Sequence, residues 1–276
     1  MFDFKIFVSS YLNQNTTLLS KNGSAVVIDP GVFPTDMDII NQYLEENELE
    51  LKAILFTHTH GDHIAGWNYL PKVPLYAGSG LALKTRDQTK KDLSFIENIF
   101  RSNSQKPTQA VLFPEKVVLV ENEEEIEIED FTFQFFHVPG HSIDETMIYS
   151  PEFKAIFPGD MLIKAPYPFI LDNAFQYRFS LSYIAKIISK KNVTLCVPGH
   201  YKEARDEEIM ERVKKETAYL DEIWKFLLEI YSPGIPAREI EERLLHYDPK
   251  RIKVHFTHKM NVNRFVKDLR LILGQG

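Results

Sequence analysis

Four side chains that can bind a metal fall within six residues: His58, His60, Asp62 and His63, in the run Thr57-His58-Thr59-His60-Gly61-Asp62-His63. The run follows directly on Lys52–Phe56, a short apolar segment with strand character. Histidines at i and i+2 of an extended chain fall on the same face. In a loop at a strand end they can converge. Neutral imidazole nitrogens and carboxylate oxygens suit a borderline divalent metal such as zinc. Three of the nine histidines lie in this one window. Ligand-type side chains recur in the same setting. His141 follows Val138-Pro139-Gly140, Asp160 follows Phe157-Pro158-Gly159, and His200 follows Val197-Pro198-Gly199. His137 is expected to pack beside such a site rather than bind metal, and Cys196, within an apolar strand, to be a small core residue rather than a nucleophile.

The elements that must position these turns alternate between strand and helix. Phe4–Val8, Thr16–Leu19 and Ala25–Ile28 read as strands, the last ending at Asp29-Pro30-Gly31. Residues 35–47 predict a helix with Thr35 as N-cap. Residues 78–105 read as mainly helical. Residues 116–137 read as strands, with the acidic run Glu121–Glu129 as a solvated hairpin, followed by strands at Met147–Tyr149 and Ala155–Phe157. Ser180–Lys190 predicts a helix and Val193–Val197 a strand. A long amphipathic helix is expected over residues 205–229, a break at Ser232-Pro233-Gly234, and helices near 236–246 and 261–273.

A chain of 276 residues can bury a sizeable core without disulfide staples, and its single cysteine excludes an intramolecular disulfide. The net charge of −7 argues against a protein that coats nucleic acid generally. No signal-peptide core or run of about 20 apolar residues is visible, so a cytoplasmic protein with no membrane span is expected.

These motifs together resemble the metallo-β-lactamase-fold hydrolase superfamily, of the glyoxalase II-like kind. The matching residues are Thr57 through Gly66, Pro139-Gly140-His141-Ser142, Gly159-Asp160 and Pro198-Gly199-His200, with Asp29-Pro30-Gly31 in support. The resemblance implies an α/β fold, a four-layer αββα sandwich over residues 1–204, with a helical, winged-helix-like extension over 205–276. It implies two divalent metal ions, zinc by expectation, with iron or manganese tolerated by the same donor set. His58, His60 and His141 would hold the first, and Asp62, His63 and His200 the second. Asp160 would bridge both, and Asp62 would also help move a proton. Asp29 would either accept a hydrogen bond from a ligand histidine and fix its tautomer or be a plain turn residue. The implied reaction is attack of a bridging hydroxide on an ester, thioester or lactone carbonyl of a small substrate.

The substrate side is less determined, because loops and appended segments set it. The loop after Asp160 lacks the Cys-Gly-Lys/Arg and Tyr/Phe-Glu-Gly stretches of glyoxalase II, which counts against that exact enzyme. Its aromatic run, Tyr167, Phe169, Phe175 and Tyr177, reads either as core and lid packing or as a pocket wall, with Lys164 or Arg178 meeting an anionic group. Residues 232–276 carry nine Lys and Arg against five Asp and Glu, a local +4. The alternative function is therefore a single-stranded RNA endonuclease or phosphodiesterase that uses the same metals and this basic tail. Against it, the tail is expected to be a helical cap that shapes the pocket, with His255 and His258 at the surface. A mononuclear iron dioxygenase, a metal-bound sensor and an exported β-lactamase are weaker readings, and a homodimer is possible.

Overall fold

Period-two alternation along each strand sorts its side chains between two cores. Val26 and Ile28 face one, Ala25 and Val27 the other; Ala53 and Leu55 oppose Ile54 and Phe56 in the same way. A strand apolar on both faces belongs to a sheet covered on both sides. The structure, a computed structural model, describes residues 2–104, 106–232, 234–247 and 256–272.

The first sheet contains β1 (Phe2–Val8), β2 (Asn15–Lys21), β3 (Ser24–Ile28), β4 (Glu50–Phe56), β5 (Leu75–Gly78) and β6 (Val118–Val120), side by side in that order. Pairing is antiparallel from β1 to β3 and parallel from β3 to β6. The second sheet runs β12 (Ala204–Arg205), β11 (Leu195–Cys196), β10 (Ala155–Phe157), β9 (Thr146–Ser150), β8 (Phe131–His137) and β7 (Glu125–Ile128). The facing surfaces share a core that includes Leu19, Leu55, Phe133, Ile148 and Phe157. Helices α1 (Pro34–Glu46), α2 (Gly61–Ile64) and α3 (Arg86–Ser102) contribute Met37, Ile64 and Ile96 to the core on the outer side of the first sheet. Helices α4 (Ala174–Lys191), α5 (Glu207–Ile230), α6 (Ala237–His246) and α7 (Phe256–Ile272) cover the second sheet. The result is the expected α–β–β–α layering.

Several boundaries move, each for a local reason. α1 begins at Pro34 rather than after Thr35, because proline's fixed φ suits the first helical position and Asp36 accepts a hydrogen bond from the Phe33 N–H (3.3 Å). α4 begins six residues early, at Ala174, where the Asn173 side chain accepts from the Gln176 N–H. β5 is too short to show in the sequence pattern, and α7 begins at Phe256 rather than at 261. His258 was expected at the surface. It is fully buried, its Nδ1 2.9 Å from the Tyr219 hydroxyl. His255 and Pro233 lie outside the described residues. Cys196 is buried in the core as expected. No described helix is long and apolar enough to cross a membrane.

Candidate metal centre

β4 delivers the histidine-rich turn to the edge of the sandwich, and α2 turns Asp62 and His63 back under it. Turns after β8, β10 and β11 bring His141, Asp160 and His200 to the same place. All seven residues named for metal binding converge there. His60 Nδ1 lies 3.0 Å from His58 Nε2 and 2.9 Å from His141 Nε2. His200 Nε2 lies 3.2 Å from Asp62 Oδ2 and 3.5 Å from Asp160 Oδ1. Asp160 lies between the two groups, with Oδ2 3.4 Å from His141 Nε2 and Oδ1 3.2 Å from His63 Nε2. Three sets of possible ligands form compact clusters: His58, His60 and His141; His58, His63 and Asp160; Asp62, His63 and His200.

The far side of each ring tells which nitrogen carries the proton. His141 Nδ1 donates to the Phe169 carbonyl (2.8 Å) and His200 Nδ1 to the Leu12 carbonyl (3.1 Å). His63 Nδ1 donates to Asp29 Oδ2 (3.0 Å). Each bond leaves an Nε2 lone pair aimed inward, the tautomer a metal needs. Of the two readings left open for Asp29, the structure thus gives the hydrogen-bonding one. Its carboxylate also accepts from the Thr57 N–H (2.8 Å) and hydroxyl (2.6 Å), from a left-handed backbone at φ 51°. That strained conformation is held by four elements at once: the β2–β3 pair, β4 and α2.

The donor set fits a bound cation. His63 Nε2 and Asp160 Oδ1 are buried without a hydrogen-bond partner among the described residues, as expected of two lone pairs aimed at a shared ion. Burial, then the neighbouring imidazoles His63, His60 and His141, push the His58 pKa well down; burial and His141 push His60 down to about 3. Burial opposes charge on His63, yet Asp160 and Asp29 on either side raise its pKa well above the ordinary value. The site favours positive charge at that point, whether a proton or a metal carries it.

Residues missed by sequence reasoning hold the ligands from behind. Glu145 accepts the Asp160 N–H (2.9 Å) and lies 3.6 Å from His58 Nδ1. Gly159, at φ +57°, has no room for a Cβ against Glu145. Lys84 donates to Thr59 Oγ1 (2.7 Å) and pairs with Asp92 (2.7 Å), while Asp144 accepts from the Thr59 N–H (2.9 Å) and from Ser142. The signal for Asp144 and Glu145 was a polar run wedged between two apolar strands; Lys84 carries none. His137 sits beside the site, its Nε2 2.9 Å from the Ile143 carbonyl.

Of the residues expected to wall the pocket, only Phe169 lines the cavity over the ligands. Tyr167 and Tyr177 are buried core residues, one packed on Tyr219, the other donating its hydroxyl to Glu216 (2.9 Å). Phe175 stacks on Trp224. Arg178 pairs with Asp221 (2.6 Å) and Lys164 with Glu208 (3.6 Å), both away from the ligands. α4 turns Phe175, Tyr177 and Arg178 toward α5, so that part of the run is interhelical packing.

The model of the metallo-beta-lactamase superfamily matches residues 10–200, which contain every ligand position above. The chain belongs to the metallo-beta-lactamase superfamily. Within that superfamily it is 31% identical over 163 residues to a hydroxyacylglutathione hydrolase of Francisella tularensis subsp. holarctica, covering 58% of this chain and 51% of that one. It thus spans about half the length of that relative. A beta-lactamase domain protein from Burkholderia ambifaria superposes with a TM-score of 0.71 at 17% identity, covering 99% of this chain and 86% of that one. A metallo-beta-lactamase family protein from Thermus thermophilus gives 0.69 at 17%, with 97% and 93% covered. These two likenesses concern the fold, and they extend over the C-terminal helices as well as the sandwich.

Proposed function

We propose that the protein is a metal-dependent hydrolase with a dinuclear centre that cleaves an ester, thioester or lactone carbonyl of a small substrate. The observation that carries this reading is the convergence of three ligand clusters on the floor of one cavity. His58, His60 and His141 would hold one ion, Asp62, His63 and His200 the other, and Asp160 both. We take the ions to be zinc; divalent ions supply an acidified water and Lewis-acid polarisation of a carbonyl when bound in such a site.

The chain's own residues do the rest. Asp29 and the carbonyls of Phe169 and Leu12 lock three imidazoles with Nε2 inward. Burial works against charge on Asp62, but the neighbouring His200 and His63 keep its pKa below the ordinary value, so it stays ionised. With Oδ2 turned to His200, Oδ1 is the atom we assign to take a proton from the attacking water. No protein nucleophile is needed. The name of the hydroxyacylglutathione hydrolase supports a thioester among the candidate substrates.

Elemental mass spectrometry on protein purified without chelators is the test, followed by a thioester, lactone and phosphodiester panel. Two zinc ions per chain and carbonyl hydrolysis are expected. One iron per chain, or no metal uptake on titration, would overturn the reading. Asp160→Ala should lose metal and turnover; retention of both ions would remove its bridging role.

A further inference from the structure

The cavity above the ligands has a volume of about 430 Å³, within the range that takes a whole small organic molecule. Its floor is polar, formed by His60, Asp62, His141, Asp160 and His200. Its walls differ in kind. Leu12 from the β1–β2 loop, Phe95 on α3, Leu171 before α4 and Phe256 at the start of α7 all line it, yet are 52%, 40%, 39% and 72% exposed. One exposed large apolar side chain is ordinary, but four from separate elements around one cavity mark a binding surface. Ile163, Phe169 and Met260 continue the apolar lining. Among the described residues that line it, Lys91 is the sole cation.

We propose that this cavity takes the acyl chain of an apolar, medium-length ester or thioester, with Phe95, Leu171 and Met260 as specificity-determining residues. The proposal rests on the hydrolase reading above and deepens it. The scissile carbonyl lies over the polar floor, and the saturated chain runs along Phe169 and Met260 toward the exposed rim. A charged, peptide-like substrate would bring several carboxylates and an ammonium to one lysine and to Asp92, which lines the same cavity. An alkyl chain asks for no partner and gains from each methylene removed from water. The chemistry is plain hydrolysis. Water's oxygen bonds to the acyl carbon, the acyl–oxygen or acyl–sulfur bond breaks, and the leaving group departs as alcohol or thiol with a proton from that water.

The test is a series of acetyl, butanoyl, hexanoyl and octanoyl thioesters of N-acetylcysteamine, hydrolysed by the zinc-loaded full chain. kcat/KM should rise up to about fourfold per methylene, the equivalent of about 0.8 kcal/mol for each buried CH2. Phe95→Asn and Leu171→Asn, at partly exposed wall positions that offer no ligand atom, should each lower the octanoyl-to-acetyl ratio about threefold to tenfold. Calorimetry with the non-hydrolysable S-octyl thioether gives a readout free of turnover, and a negative ΔCp of binding is expected. Turnover with a flat chain-length series, or no binding of the thioether, overturns the acyl-chain assignment and leaves the hydrolase reading standing. Binding with negative ΔCp but no hydrolysis of the thioesters, or of matching alkyl esters and lactones, supports the apolar cavity and overturns the hydrolase reading.

Discussion

Asp29 shows how much one carboxylate can do from behind a metal ligand. It accepts three hydrogen bonds, two from Thr57 and one from His63, and so ties the strand end to the ring it must orient. Asp29→Asn keeps the size but can place only one carbonyl oxygen toward these donors and sets an NH2 against another. Partners of this kind typically contribute about 10–100-fold to metal affinity. The expected outcome for Asp29→Asn is a loss of that order, read by competition with a chromophoric chelator, with little change in the far-ultraviolet circular dichroism. Unchanged affinity would make Asp29 a turn residue only. The ligands themselves were legible because each ends an apolar strand in a distinctive turn. Asp29 was half legible, since a turn aspartate and an orienting aspartate look alike before the fold brings His63 to it. Lys84 carried no signal, and the roles of Thr57 and Glu145 were not legible, because they depend on contacts across the sandwich rather than on spacing.

At the scale of elements, α4, α5 and α7 carry polar groups that a hydrophobic pattern cannot announce. Strand alternation was readable and placed most of both sheets. Helix starts were displaced where a cap or a proline decided, and Tyr177 stayed open between core packing and pocket wall because a helix face cannot be aimed without its neighbour. Its hydroxyl meets Glu216 of α5, whose pKa burial pushes from 4.5 up to about 7. The folded chain therefore binds this proton more tightly than the unfolded chain. Its contribution is complete below about pH 4.5 and is lost as the pH rises through about 7. Denaturant unfolding at pH 5 and pH 8 should show a loss on the order of 2–3 kcal/mol in the parent that Glu216→Gln lacks. Equal slopes in both proteins would remove Glu216 from the account. Asn261 of α7 works on the site from a distance. It is fully buried, donates to the Pro168 carbonyl (2.8 Å) and accepts from the Ile170 N–H (3.1 Å), and so brackets Phe169, whose carbonyl holds His141. Asn261→Ala should cost about 1–3 kcal/mol by leaving those backbone groups unpaired. It should also weaken metal retention, which loss of helix packing alone, as in Leu269→Ala, would not do to the same extent.

At the scale of the whole molecule, charge decides between a small carbonyl substrate and a polyanion. The chain carries −7 overall, and the +4 of residues 232–276 is the one feature that favours RNA. Three of that segment's nine cations pair with acids of the same segment, which leaves the net +4 unchanged but ties those side chains to the helices. Arg238 and Arg243 pair with Glu242 and Glu239 along α6, and Arg264 pairs with Asp268 on α7. Asp268 in turn accepts the Ala174 N–H (2.8 Å) at the start of α4, and Val262, Phe265 and Leu269 join the core over the second sheet. α7 is thereby spent on packing and on walling the cavity, where Met260 lies. A protein that neutralises several phosphates loses affinity steeply as salt rises, with a logarithmic slope of about −0.7 per phosphate contacted on a single strand. The expected result here is weak association with a single-stranded RNA oligomer at low salt, measured by fluorescence anisotropy, and none at physiological salt. Thioester turnover should change little over the same range, because an apolar acyl chain carries no charge to screen. A steep salt dependence of RNA binding, reduced by charge reversal at Lys259 and Lys267, would instead make the tail a nucleic-acid surface and turn the same ligand cluster toward a phosphodiester.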